Sequence, residues 1–219
     1  DFDPTNTKKL HEASLWKDEP CHVNCDCGRF MEIGNNVFME YKKAETGFEN
    51  LTQQNVDFGG GLERMAAALA DDADVFQLDL FTEARTVLET LSGKSYAEST
   101  ETTHAFRVIL DHIRAAVFLI SDGVLPSNKD QGYFVRRLIR RAVRYGKKLG
   151  INDPFTAVIA APFVATYAEA YPDLFSKEQS ILSALREEEQ KFRSTLGKGL
   201  QEVEKRMTSG TLTGKDACC

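Results

Sequence analysis

Residues 57–64 read Asp57-Phe58-Gly59-Gly60-Gly61-Leu62-Glu63-Arg64, and an Ala-rich run from Met65 to Ala70 follows. A carboxylate, three glycines and a Glu-Arg pair thus open a helix. Glycines let a backbone approach a ligand closely and adopt dihedrals that a Cβ forbids. The start of a helix offers unpaired N–H groups and a partial positive charge. Arg64 adds a permanent cation whose planar fork suits phosphate oxygens. The chemistry on offer is the binding of an anion, although the same string also reads as a plain turn and helix cap. It lacks the Lys-Ser/Thr ending of a Walker A loop. It also lacks the acidic residue on a second strand, about twenty positions on, that a dinucleotide-binding turn requires.

A second chemical feature is cationic. Arg136, Arg137, Arg140, Arg141, Arg144, Lys147 and Lys148 fall within thirteen residues with no acid among them. On a helix, 137, 141, 144 and 148 share one face, and 136, 140 and 147 widen it. Leu138, Ile139, Ala142 and Val143 leave a side for burial. A solvated face usually mixes signs to gain i,i+4 pairs, so seven like charges in a chain of net charge −6 point to a polyanionic partner. The preceding loop carries Asn128, Lys129, Asp130 and Gln131. Their side chains can read base edges, while arginines hold phosphates.

The third feature is a cysteine cluster, Cys21-His22-Val23-Asn24-Cys25-Asp26-Cys27. Three Cys and His22 could hold zinc. The C-x3-C-x-C spacing is not one of the usual knuckles, however, and no second ligand pair lies nearby. A reduced loop without metal is therefore expected. Clustered cysteines do not form a disulfide framework, which favours a cytoplasmic setting.

These groups need elements to position them. Phe30 to Tyr41 is rich in aromatic and branched residues and predicts a strand. Lys42–Asn50 predicts a hairpin loop, and Leu51–Asp57 a second strand before the glycines. From Leu80 the period becomes helical: 80–91, then a stripe of Phe106, Ile109, Ile113, Val117 and Ile120 stopped by Asp122-Gly123. Further helices are predicted over 133–149 and 154–170. A long last helix over 176–207 carries Ile181, Leu185, Phe192, Leu196, Leu200 and Val203 on one face. Strands followed by a run of helices predict an α+β chain with an all-α second domain, divided as 1–75 and 76–219. The length supports a real core. No apolar run is long enough to span a membrane, and the start shows no signal peptide.

Five strings, taken in order, resemble alanyl-tRNA synthetases: Glu32-Ile33-Gly34-Asn35-Asn36-Val37-Phe38-Met39; Asp57 to Arg64; Asp111-His112-Ile113-Arg114; Asp122 to Asn128; and Gly132 to Ala142. The resemblance implies part of the antiparallel sheet of a class II synthetase core over 1–75, with the third class II motif at 57–64. It implies a helical tRNA-recognition domain over 76–219. Arg64 would then bind the γ-phosphate of ATP, and Asp57 the ammonium group of alanine. Asn35 would line the same pocket, and Gly59 and Gly61 would admit the adenosine and the adenylate. The partners implied are ATP with Mg2+, alanine and the acceptor stem of tRNA(Ala). Asn128 would read the stem's G·U pair, and Arg136, Arg137, Arg140, Arg141 and Arg144 would hold its backbone. Asp216 aligns loosely with a second residue of that reading.

The resemblance also has departures. Nothing here matches the first and second class II motifs, so the chain alone is expected not to make alanyl-adenylate. Gly34 stands where the family usually has Trp, which predicts slack beside Asn35. The alternative reading is a non-catalytic RNA-binding module.

Overall fold

The computed structural model describes residues 1–208. By contacts within the chain, these residues form two compact units that meet in sequence at Leu78/Asp79.

The first unit begins with 33 residues that contain neither helix nor strand. A two-stranded antiparallel ribbon follows, β1 (Gly34–Ala44) and β2 (Gly47–Gly60), and then helix α1 (Leu62–Leu69) and a single 3-10 turn (Val75–Gln77). The hairpin loop is much shorter than the one predicted over 42–50. Ala44 already pairs with Gly47, whose φ of 139° suits a glycine. The polar residues Lys42, Lys43, Glu49 and Asn50 continue the ladder instead of leaving it. Both faces of the ribbon are exposed, so polar and apolar side chains meet the same solvent and no alternation marks the strand ends. A register shift between Met39 and Tyr41 breaks the ladder once.

The second unit is all helical: α2 (Asp79–Ser92), α3 (Thr100–Ser121), α4 (Asp130–Lys148), α5 (Thr156–Tyr167), α6 (Pro172–Ser176) and α7 (Glu178–Thr208). One two-stranded sheet and these helices together are the expected α+β content. Helix α3 is the axis of the core. Ser99 caps its first turn by accepting from the Thr102 N–H. Phe106, Ile109, Ile113, Val117 and Ile120 are all buried, and Asp122-Gly123 ends the helix with Gly123 at φ 90°. Phe81 of α2 meets Phe163 of α5 edge to face, with centroids 6.0 Å apart. From α7 come Ile181, Leu182 and Leu185. Its predicted apolar stripe does not reach Val203, which is exposed.

A buried acid ties α7 to the start of α5. The Glu189 carboxylate accepts from the Phe155 and Thr156 N–H groups and from the Thr156 hydroxyl. Arg193 completes it at 2.7 Å and also reaches the carbonyls of Asn152 and Asp153. A buried helix N-terminus is thus satisfied from another helix.

Candidate nucleotide pocket and nucleic-acid face

The ribbon register places three of the predicted pocket residues together. Asn35 pairs with Gly59, and Val37 with Asp57. Paired residues share a face, as do residues two apart on a strand. Asn35, Asp57 and Gly59 therefore lie on one face, with Asn35 diagonal to Asp57. A Cβ on Gly59 would stand 3.4 Å from the Asn35 Oδ1, so the glycine keeps that spot low. Asn35 also donates to the Glu32 carboxylate at 3.3 Å.

The three glycines differ from the expected turn. Gly59 and Gly60 are the last paired residues of β2, and Gly61 is the N-cap of α1 with φ −90°. None of the three uses the left-handed region. Their contribution is room. Side chains at Gly60 and Gly61 would press on Met65 and on the Arg64 stem, at 3.2 Å in each case. The Gly61 N–H is tied to the Ile33 carbonyl at 3.0 Å. Arg64 is exposed in the first turn of α1 and donates to the Glu32 carbonyl at 3.1 Å. The segment just before β1 therefore holds both the helix start and its arginine. The N-cap of α1 is Gly61, which has no side chain to cap the helix. The slack predicted at Gly34 is absent. A Cβ there would meet the Gly59 carbonyl at 3.0 Å and the Phe58 ring at 3.1 Å.

On α4 the buried side is Val135, Ile139, Ala142, Val143 and Gly146. Arg137, Arg141, Arg144 and Lys148 stand opposite, all exposed, and make no ion pair among the described residues. The predicted row of five arginines is not uniform. Arg136 and Arg140 turn onto the buried Glu188 of α7, at 3.2 and 2.6 Å, and Arg140 also lies over the Phe192 ring. Glu188 was missed because it lies 48 residues from Arg140 and only packing brings it there.

A groove of about 700 Å³ runs beside the row, lined by Asp111, His112, Phe134, Arg137, Arg141 and Arg144 among others. A hydrogen bond from His112 holds the Asp111 carboxyl below the usual carboxylate range. Burial opposes that shift, and the Arg114 and Arg141 charges add to it.

Asn128 is exposed in the bend just before α4. The helix starts at Asp130, earlier than the predicted Tyr133, because Gly132 lets the loop fold back on its first turn. The Ser127 N–H donates to the Gly132 carbonyl at 3.0 Å, and a Cβ at Gly132 would stand 2.5 Å from the Leu125 carbonyl. Asp216 lies outside the described residues.

In the segment before β1, His11, Cys21, Cys25 and Cys27 bring their ligand atoms within 4.8 Å of one another. The expected fourth member, His22, is not among them. Its Nδ1 accepts from the Asn24 N–H in its own turn. His11 carried no local spacing signal, since it lies ten residues before Cys21. Burial pushes the Cys27 thiol up, but the Arg29 N–H, His11 and the neighbouring thiols outweigh it and bring it to about 7.

Comparison with known proteins gives one consistent result. The family profile described as tRNA synthetases class II (A) matches residues 10–218. An alanine–tRNA ligase of Desulforamulus reducens is 39% identical over 215 residues, 95% of this chain and 24% of that protein. One of Desulfosudis oleivorans is 42% identical over 198 residues, 90% of this chain and 22% of that protein. One of Borreliella afzelii is 42% identical over 200 residues, 89% and 34%. The chain thus spans about a fifth to a third of the curated relatives it matches.

Proposed function

We propose, for a chain that belongs to the alanyl-tRNA synthetases of class II, that it serves in ATP-driven adenylation of alanine and transfer to tRNA(Ala). Residues 1–75 contribute to the catalytic core and 76–219 recognise tRNA, and the activity is cytoplasmic. Arg64 takes the γ-phosphate of ATP, whose Mg2+ shares the charge. The Glu32 carbonyl holds the guanidinium in place for this. Asp57 receives the ammonium group of alanine, with Asn35 beside it on the same face. Gly59 and Gly61 let the adenosine and the adenylate lie against the backbone. Catalysis then rests on positioning and on stabilising charge at the pentacoordinate phosphorus.

The observation that carries the RNA half is the exposed row of Arg137, Arg141, Arg144 and Lys148, with Asn128 at one end of the same helix. The row holds the acceptor-stem backbone, and Asn128 reads a base edge. Arg136 and Arg140, occupied by Glu188, keep the helix in place and contribute to the field. The test compares tRNA(Ala) binding by the chain and by its Arg141→Glu variant across a salt series. The log–log slope should be several units for the native chain, roughly 0.7–0.9 per phosphate contact, and should fall by about one or two in the variant. An unchanged affinity and slope would remove α4 from the interface.

A further inference from the structure

We propose that His11, Cys21, Cys25 and Cys27 form a structural zinc site that folds the first 33 residues. The argument starts from donors and distances. Three thiols and one imidazole are a set that selects zinc, in tetrahedral geometry. With Zn–S near 2.3 Å and Zn–N near 2.0 Å, a tetrahedron has edges of about 3.8 Å between sulfurs and about 3.5 Å between sulfur and nitrogen. The Cys21 and Cys27 Sγ atoms are 4.0 Å apart, and the Cys25 Sγ lies 3.7 Å from the His11 Nδ1. No donor pair in the set exceeds 4.8 Å.

The surroundings fit as well. The other ring nitrogen of His11, Nε2, sits 2.9 Å from the Glu19 carbonyl. That bond fixes the tautomer with Nδ1 free to ligate, the usual outer support of a metal-bound imidazole. Asp3, itself buried, accepts from the Lys8 and Leu10 N–H groups and so shapes the backbone that delivers His11. The Phe2 N–H binds the Arg29 carbonyl at 2.8 Å, closing the chain beside Cys27.

The segment also needs such a centre. Among its described residues only Phe2, Asp3, His11 and Cys27 are buried, too few for a hydrophobic core. Segments of this size without a core are ordinarily held by metal or disulfides. On binding Zn2+ the three thiols release their protons to solvent and His11 binds neutral, leaving a net charge of −1 near Arg29. No redox step is involved.

The test uses the full chain. Purified without chelator, it should carry one zinc, released by a mercurial thiol reagent and not by brief dialysis. Exchange for Co2+ should give the intense visible bands of tetrahedral cobalt and a thiolate charge-transfer band. Cys25→Ser and His11→Ala should lose the metal, and His22→Ala should keep it. Should the first two fail to fold, His11→Cys remains decisive, because it should retain metal and strengthen the charge-transfer band. Trp16, the only tryptophan, lies in the loop between His11 and Cys21, and its emission should shift when zinc is stripped. Freely reactive thiols at Cys21, Cys25 and Cys27 in a metal-free chain, a Cys21–Cys27 disulfide, or loss of zinc in His22→Ala would each overturn the proposal.

Discussion

At the scale of single residues, charge placement decides more than charge number. Glu188 shows this by drawing two of five arginines away from the open face of α4. Asp111 shows the reverse case, an acid set among cations. Its folded carboxyl is held below its ordinary value, so the stability it contributes is fully present above about pH 4. That stability is lost as pH falls through the depressed folded value. The melting temperature of the helical unit should therefore drop as pH falls below about 4, and Asp111→Asn should flatten that part of the profile. Circular dichroism melts of the two proteins across the range check this, and parallel acid limbs would contradict it. The reading of residues from sequence was uneven for a physical reason. Asn35, Asp57 and Gly59 could be grouped because they lie in two short strings that pair as a ribbon. His11 and Glu188 could not, because nothing local marks a partner that arrives only through folding.

At the scale of elements, close approaches set the geometry. Gly146 lies on the buried side of α4, and a Cβ there would stand 2.5 Å from the Phe155 ring carbon Cζ. Phe155 in turn sits at the α5 start that Glu189 caps. Gly146→Ala should therefore destabilise the chain by about 1–3 kcal/mol through overpacking, even though alanine favours an isolated helix by up to about 1 kcal/mol. Thermal or urea unfolding measures the net sign, and a stabilised variant would show that α5 yields freely. Helices α3 and α4 were legible because each buries one stripe. The ribbon ends were not, because strands exposed on both faces carry no alternation to read. The short α6 left no periodic mark at all.

At the scale of the whole molecule, the chain combines a helical unit with a full core and a first unit that buries little. Phe38, Phe48 and Phe58 are exposed on the ribbon, and a two-stranded ribbon alone is only marginally stable in water. In the proposed function these faces join a larger sheet of the synthetase core. The isolated chain should then show no alanine-dependent pyrophosphate exchange with ATP, while still binding tRNA(Ala). Robust exchange would mean that the residues of the first unit suffice for adenylation. Failure of both activities would count against the RNA reading too.

Glu188 has one more consequence. Because it anchors one flank of α4 to α7, the unpaired cations run along a single edge of the helix. A cylinder gripped along one edge is fixed lengthwise and left to roll. In the proposed function Asn128, beyond the end of that edge, is the stop against which a stem would come to rest at a defined angle.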